Sequence, residues 1–304
     1  MLTSLDHIII GVRDLEGAAE IFGNGLGLLP GGGGIHPIGG TANRIIVIGD
    51  TYLELITIYK PEEAQASLRQ RLERGEGYLN CVFASDDLEA DSQAIRERGV
   101  PLIGPVAGSL RSADGRERAW KRADIERPDL AQRYPFLIQH DSAGEERRRR
   151  LAGWSTPPVH PLGASKVRSV TLAVENLEEA SRRFAHIYGL QASAPFSAAS
   201  QGMGAQVVSF NLGQSGQSFE LAAPAFEDKG PNALRDHLER FGESLYRMTL
   251  LVNDLEQASR YLDEHAVPAT SIENAQPLLW IEASHSCGAL IVLQQIQEKR
   301  GMER

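Results

Sequence analysis

The sequence predicts an α+β fold made of four βαβββ units joined in pairs. Two observations lead there. The strand, corner and helix pattern LDHIIIGVRDLEGA, residues 5–18, recurs as LNCVFASDDLEADSQAI from Leu79, VRSVTLAVENLEEA from Val167 and YRMTLLVNDLEQASRYL from Tyr246. Its Asp-Leu or Asn-Leu corners fall at 14, 87, 176 and 254, so the intervals of 73, 89 and 78 residues are variations on one repeat length. A chain of 304 residues is also long for one ordinary core and suits two.

Each unit opens with an apolar run of strand character and turns at the corner into a helix whose first turn is acidic: RDLEGAAEIF, DDLEADSQAI, ENLEEASRRF and NDLEQASRYL. The Asp or Asn before Leu accepts a backbone N–H at the helix start, and the Glu that follows suits the positive end of the dipole. Gly or Pro stops each helix, in GLGLLPGG, RGVPL, YGLQA and HAVPA. Further short strands follow: ANRIIVIG and TYLELITI in the first unit, AQVVSFNLG and SFELAAP in the third, PFLIQHD and GALIVLQQI closing the second and fourth. The charged run RSADGRERAWKRADIERPDLAQRY reads as an insertion in the second unit. A helix covers one face of each small sheet, so pairs of units must share a core or a cavity on the other.

A formal net charge of −9 argues against a general nucleic-acid binder. No apolar window approaches the ~18–20 residues of a membrane span. The start, MLTSLDHIII, lacks the pattern of a secretion signal, so a cytoplasmic protein is expected. Cys81 and Cys287 lie in or beside apolar runs and read as buried thiols, not a disulfide or zinc framework. Residues 142–164 combine charge with Pro and read as the break between halves, giving domains 1–142 and 165–304 with a linker at 143–164. The arginines at 147–150 read as a solvated face.

The four helix openings, LDHIIIGV, the segment HPIGGTANRIIVIGDTYLELITI, and PFLIQHD ahead of a second HPLGA together resemble the vicinal oxygen chelate superfamily, and within it the glyoxalase-like domain proteins. The resemblance implies that the units pair into two tandem half-open barrels, with every helix on the convex side. It also implies a metal site built from one residue of the first strand and one of the last strand of each paired unit. His7 and Glu54 match the first unit's two positions, and Asn80 and Gln139 those of the second.

Strand alternation supports the first pair independently. His7, Ile9 and Gly11 share one face of their strand, and Tyr52, Glu54 and Ile56 share one face of theirs. The expectation is a weak divalent site (Zn, Mn, Ni or Fe) on His7, Glu54 and Gln139, or a polar pocket without metal, with Glu54 as candidate general base and Asn80 binding substrate. A histidine hydrogen-bonded in the core to Glu54 is the competing reading of His7. His140, next to Gln139, is expected on the opposite face.

The glycine-rich stretch GGGGIHPIGGTAN is followed by strand, not helix, so it reads as a flap and not a phosphate loop. Its His36, Thr41 and Asn43 are candidate substrate-binding donors at the rim, or else turn chemistry. In the second half Ser169, Arg247, Glu220 and Val292 take the four positions, and Arg has no lone pair for a metal, so that barrel is expected to be structural or to form a homodimer. His285 sits in a loop and does not restore the set. The sequence thus points to a glyoxalase-like protein acting on a small oxygenated or carbonyl compound, or to a metal-free protein that sequesters one.

Overall fold

The computed structural model describes residues 1–112, 115–126, 134–154, 156–225, 232–274 and 276–297. The first unit runs β1 (Leu2–Gly11), α1 (Leu15–Glu20), β2 (Gly32–Ile35), β3 (Thr41–Ile48) and β4 (Thr51–Ile58), and α2 (Ala66–Arg74) leads to the second. That unit is β5 (Gly77–Ser85), α3 (Leu88–Glu97), β6 (Leu102–Arg111), β7 (Glu117–Ile125) and β8 (Phe136–His140), followed by α4 (Gly144–Ala152). The third is β9 (Ala164–Ala173), α5 (Leu177–Tyr188), β10 (Phe196–Ser197), β11 (Ala205–Leu212) and β12 (Gln217–Pro224), and α6 (Ala233–Phe241) follows it. The fourth is β13 (Ser244–Val252), α7 (Leu255–Glu264), β14 (Ala269–Ile272), β15 (Leu278–Ile281) and β16 (Leu290–Gln295).

The corners behave as their composition requires. Asp14, Asp87, Asn176 and Asp254 each cap a helix by accepting a backbone N–H three residues on, at 3.0–3.1 Å. The first sheet has the order β2-β3-β4-β1-β5-β8-β7-β6 and the second β10-β11-β12-β9-β13-β16-β15-β14. Within a unit the first and last strands are parallel, and the two units of a pair join antiparallel through β1 with β5 and β9 with β13. The chain therefore folds into two tandem half-open barrels of paired βαβββ units.

Three helices depart from the convex placement. The repeat helices α1, α3, α5 and α7 cover the convex faces, but Leu151 and Ala152 of α4 pack with Ile45, Val47 and Tyr52, α2 brings Leu68 to the first cup, and α6 joins the second cup's apolar cluster through Leu234. Gly32 allows the close seat of α4, since a Cβ there would lie 2.2 Å from the Leu151 carbonyl oxygen. The segment 143–164 is therefore more than a tether. His160 donates to the Val47 carbonyl at 2.8 Å and accepts from the Leu29 N–H at 3.0 Å, fastening it to the first sheet.

The charged run of the second unit also differs from expectation. Its described part supplies β7, paired with β6 through Gly108↔Trp120 and Leu110↔Arg118; residues 113–114 and 127–133 lie outside the described residues. The glycine-rich stretch is likewise not a free flap, because β2 pairs with β3 from Gly32↔Ile45 to Ile35↔Ala42. Among the described residues no helix is long and apolar enough to cross a membrane.

The convex faces of the two sheets meet in one core that takes Ile8, Ile10 and Phe83 from the first barrel and Val170, Leu172 and Phe219 from the second. Phe83 sits edge-on to Phe219 and to Tyr188, with ring centroids 5.4 and 5.0 Å apart. Buried Cys81 and Cys287 are free thiols, and burial pushes the Cys287 thiol up to about 12. Phe83→Ala should cost about 3–5 kcal/mol and, because the core is shared, move a single calorimetric transition as a whole. Two separate transitions, with one unmoved, would contradict a shared core.

Candidate functional site

The site begins with a repeated irregularity in the strands. In β1 Leu5 pairs with Phe83 and His7 with Val82, so Asp6 has no partner across the ladder. The same skipped residue occurs at Leu79, Arg168 and Tyr246, always just before the position equivalent to His7. An extra residue in a strand breaks strict alternation and re-aims its side chain. Asp6, which simple alternation places opposite His7, thereby turns its carboxylate to the same side.

Asp6 is 1% exposed. Its Oδ1 accepts from His7 Nδ1 at 2.7 Å and His140 Nε2 at 3.3 Å, and its Oδ2 accepts from Arg147 Nη2 at 2.7 Å. Burial alone would raise its pKa, but the guanidinium of Arg147, then His140 and His7, hold the carboxyl well below the usual range. Burial pushes the His140 pKa below its ordinary value, outweighing the opposite pull of Asp6. Arg147, expected in solvent, is thus the buried carboxylate's counter-charge, while Arg148 pairs with Asp50 and Arg149 and Arg150 pair with Glu145 and Glu146 along α4.

The bond to Asp6 fixes the proton of His7 on Nδ1. Its Nε2 then faces Glu54 Oε2 across 3.7 Å, and its ring stacks on Tyr52 with centroids 4.5 Å apart. The other oxygen of Glu54 accepts from Asn43 Nδ2 at 2.5 Å and lies 3.4 Å from His36 Nε2, while His36 Nδ1 meets Thr41 Oγ1 at 2.8 Å. Burial would raise the Glu54 pKa, yet His36, His7 and Asn43 together bring it down to about 2. The sequence candidates His7, His36, Thr41, Asn43 and Glu54 are therefore one connected cluster.

Asn80 and Gln139 do not join it. Asn80 donates to the Tyr134 carbonyl at 3.0 Å and accepts from the Cys81 N–H at 2.9 Å, which occupies both ends of its amide. Gln139 faces the helix side, accepting from Leu88 N–H and donating to the Asp86 carbonyl at 3.1 and 2.8 Å. The register gives the reason: Ile9↔Glu54 in the first unit corresponds to Val82↔Phe136 in the second, so Phe136 takes the position assigned to Gln139. Alternation from Phe136 brings Ile138 and His140 into the cup and turns Gln139 out, the reverse of the expected placement.

His7, His36, Thr41, Tyr52, Glu54 and His140 line a cavity of about 780 Å³ walled by Ile9, Ile56, Phe136, Ile138 and Trp120, with Pro37 and Ile38 at its mouth. Trp120 lies flat across Gly108, where a Cβ would come within 2.6 Å of its Nε1. Sequence reasoning missed Asp6, His140, Arg118 and Trp120. The alternation of arginine and tryptophan in RERAWKR was a strand signal inside the supposed insertion.

The second cup keeps the scaffold with other groups. Arg247 lies 3.6 Å from Glu220 and bonds Thr171 Oγ1 at 3.1 Å and Gln201 Oε1 at 2.7 Å. Val292 pairs with Thr249 as Phe136 does with Val82, and His285 lies in a short helical turn.

A family model described as a glyoxalase-like domain matches residues 5–188. The chain belongs to this glyoxalase-like domain family. A search of curated proteins finds no match. Among solved structures, a mutant of 4-hydroxymandelate synthase from Streptomyces coelicolor superposes with a TM-score of 0.70 at 13% identity, over 99% of this chain and 94% of that one. A hypothetical protein from Staphylococcus aureus superposes with a TM-score of 0.64 at 13% identity, over 97% and 100%. At such identities the likeness is one of fold, and it extends over both barrels.

The donor set does not fit the four-ligand metal centre expected from the resemblance. Of its positions, His7 and Glu54 carry metal donors, Asn80 is spent on backbone and Phe136 has no lone pair. No group of three or more His, Cys, Asp or Glu among the described residues is arranged to hold an ion.

The Glu54 pKa of about 2 lies below its ordinary value of 4.5, so its stabilising contribution is full above pH 4.5 and is lost as pH falls towards 2. The stability gap between wild type and Glu54→Gln should reach about 3 kcal/mol at pH 7 and shrink on acidification. Denaturant titrations at pH 7 and pH 3 measure it, and a gap independent of pH would contradict this account.

Proposed function

We propose that the first cup is the active site of a glyoxalase-like enzyme that moves a proton on a small oxygenated or carbonyl compound, with His7 as the base. One observation carries the reading: Asp6 holds the proton on His7 Nδ1 at 2.7 Å, so the lone pair of Nε2 faces the cavity. A carboxylate behind an imidazole fixes its tautomer and stabilises the imidazolium formed on proton uptake. A proton taken from carbon beside a carbonyl passes to Nε2 and returns to the same compound, so the net change is isomerisation or epimerisation with no redox partner.

Glu54, as the anion of an acid with a pKa of about 2, is a poor base near pH 7. Its role is to sit 3.7 Å from Nε2 as the negative charge facing the imidazolium and to hold His36. The competing reading is a protein that sequesters such a compound. Asn80 and Gln139, amides that could orient such a ligand, are both turned to backbone partners.

Deuterium incorporation from D2O into a panel of small 2-hydroxycarbonyl and 2-oxo compounds, followed by NMR, tests the proposal. Wild type should exchange at least one of them, and His7→Asn should slow that exchange about 10²–10⁴-fold while remaining folded by circular dichroism. Binding without exchange would favour sequestration, and exchange unchanged in His7→Asn would remove the assignment.

A further inference from the structure

The first cup contains a cation that no carboxylate among the described residues pairs with. Arg118 on β7 is 7% exposed, lines the cavity, and makes no hydrogen bond or ion pair with any described residue. Its strand neighbours differ: Arg122 is bound twice by Asp124 at 2.6 and 2.7 Å and lies over the Phe136 ring, and Lys121 pairs with Glu89 on the other face. A guanidinium keeps its charge at any working pH, and burying it unpaired is costly. Such an arrangement persists where the missing partner is a ligand.

A second donor shares the cavity. The buried Tyr52 hydroxyl makes no hydrogen bond among the described residues, and it stays protonated, because burial and the charges of Asp6 and Glu54 raise its pKa more than Arg118 and Arg147 lower it. Arg118 and Tyr52 line the same cavity. Two donors without acceptors among the described residues define a place for an anion, and a planar fork matches a carboxylate. Around them the walls are Ile9, Ile56, Phe136, Ile138 and Trp120.

We propose that Arg118, with Tyr52, anchors the carboxylate of a small organic acid whose apolar or aromatic body rests on Trp120 and Phe136. This deepens the reading of the first cup given above and rests on it for the location of the chemistry. It places the anion at Arg118 and Tyr52 and leaves the remainder of the molecule in the cavity that His7 lines.

Isothermal titration with phenylacetate, its neutral analogue phenylacetamide and inorganic phosphate tests the anchor. Wild type should bind phenylacetate about tenfold or more tighter than phenylacetamide. Arg118→Gln should erase that difference, and Arg118→Lys should restore part of it. Because the substitution removes an unpaired buried charge, the melting temperature of Arg118→Gln without ligand should not fall, which separates lost binding from lost folding. Equal affinity for acid and amide, an unchanged difference in Arg118→Gln, or inorganic phosphate binding as tightly as phenylacetate would each overturn the proposal. Arg118-dependent binding without His7-dependent exchange would remove the catalytic reading and leave this one. Exchange that depends on His7 with no preference for the acid would remove this one alone.

Discussion

The buried carboxylate of Asp6 is the interaction on which the rest of the site depends. A charge at 1% exposure is tolerable because three groups from different parts of the chain meet it: His7 beside it, His140 from the end of β8, and Arg147 from α4. Each contact has a structural consequence. His7 is locked in one tautomer, the last strand of the second unit is drawn to the first, and the segment between the barrels is folded over the first sheet.

The bulge that aims Asp6 inward is held from the other barrel. The Leu5 N–H donates to Gln217 Oε1 at 3.0 Å, and the same amide donates to Thr51 Oγ1 and the Val167 carbonyl at 2.9 and 3.0 Å. Thr51 Oγ1 in turn donates to the Leu5 carbonyl at 2.9 Å. These bonds satisfy backbone groups beside the break in the ladder, which would otherwise be buried without partners. Together with the common apolar core, they give the second barrel a part in positioning His7 although its own cup carries Arg247 and Glu220.

The two cups show how one scaffold takes different chemistry. The same strand positions hold His7, Glu54, Asn80 and Phe136 in one and Ser169, Glu220, Arg247 and Val292 in the other. In the second cup the acidic residue and the arginine partner each other; in the first the acidic residue is ringed by two histidines and an amide, and the arginine stands apart. Fold is common to both, and the site is set by which side chains the shared positions carry.

The sequence by itself determined the repeat, the four helix caps, the pairing of units and the inward His7 and Glu54, because capping and alternation are local and recur with fixed spacing. It also placed His36, Thr41 and Asn43 at the rim, and the structure joins His36 and Asn43 to Glu54 and Thr41 to His36. Tertiary structure decided the rest. Local alternation cannot see a bulge, so Asp6 was hidden; a three-residue error of register exchanged Gln139 for Phe136 and turned His140 the wrong way. Arg118 and Trp120 lay in a charged run that reads as an insertion until β6 and β8 pair with it on either side. Arg147 looked solvated because its counter-charge lies 141 residues away in the chain, and contacts between residues so far apart are made by packing, which no local pattern records.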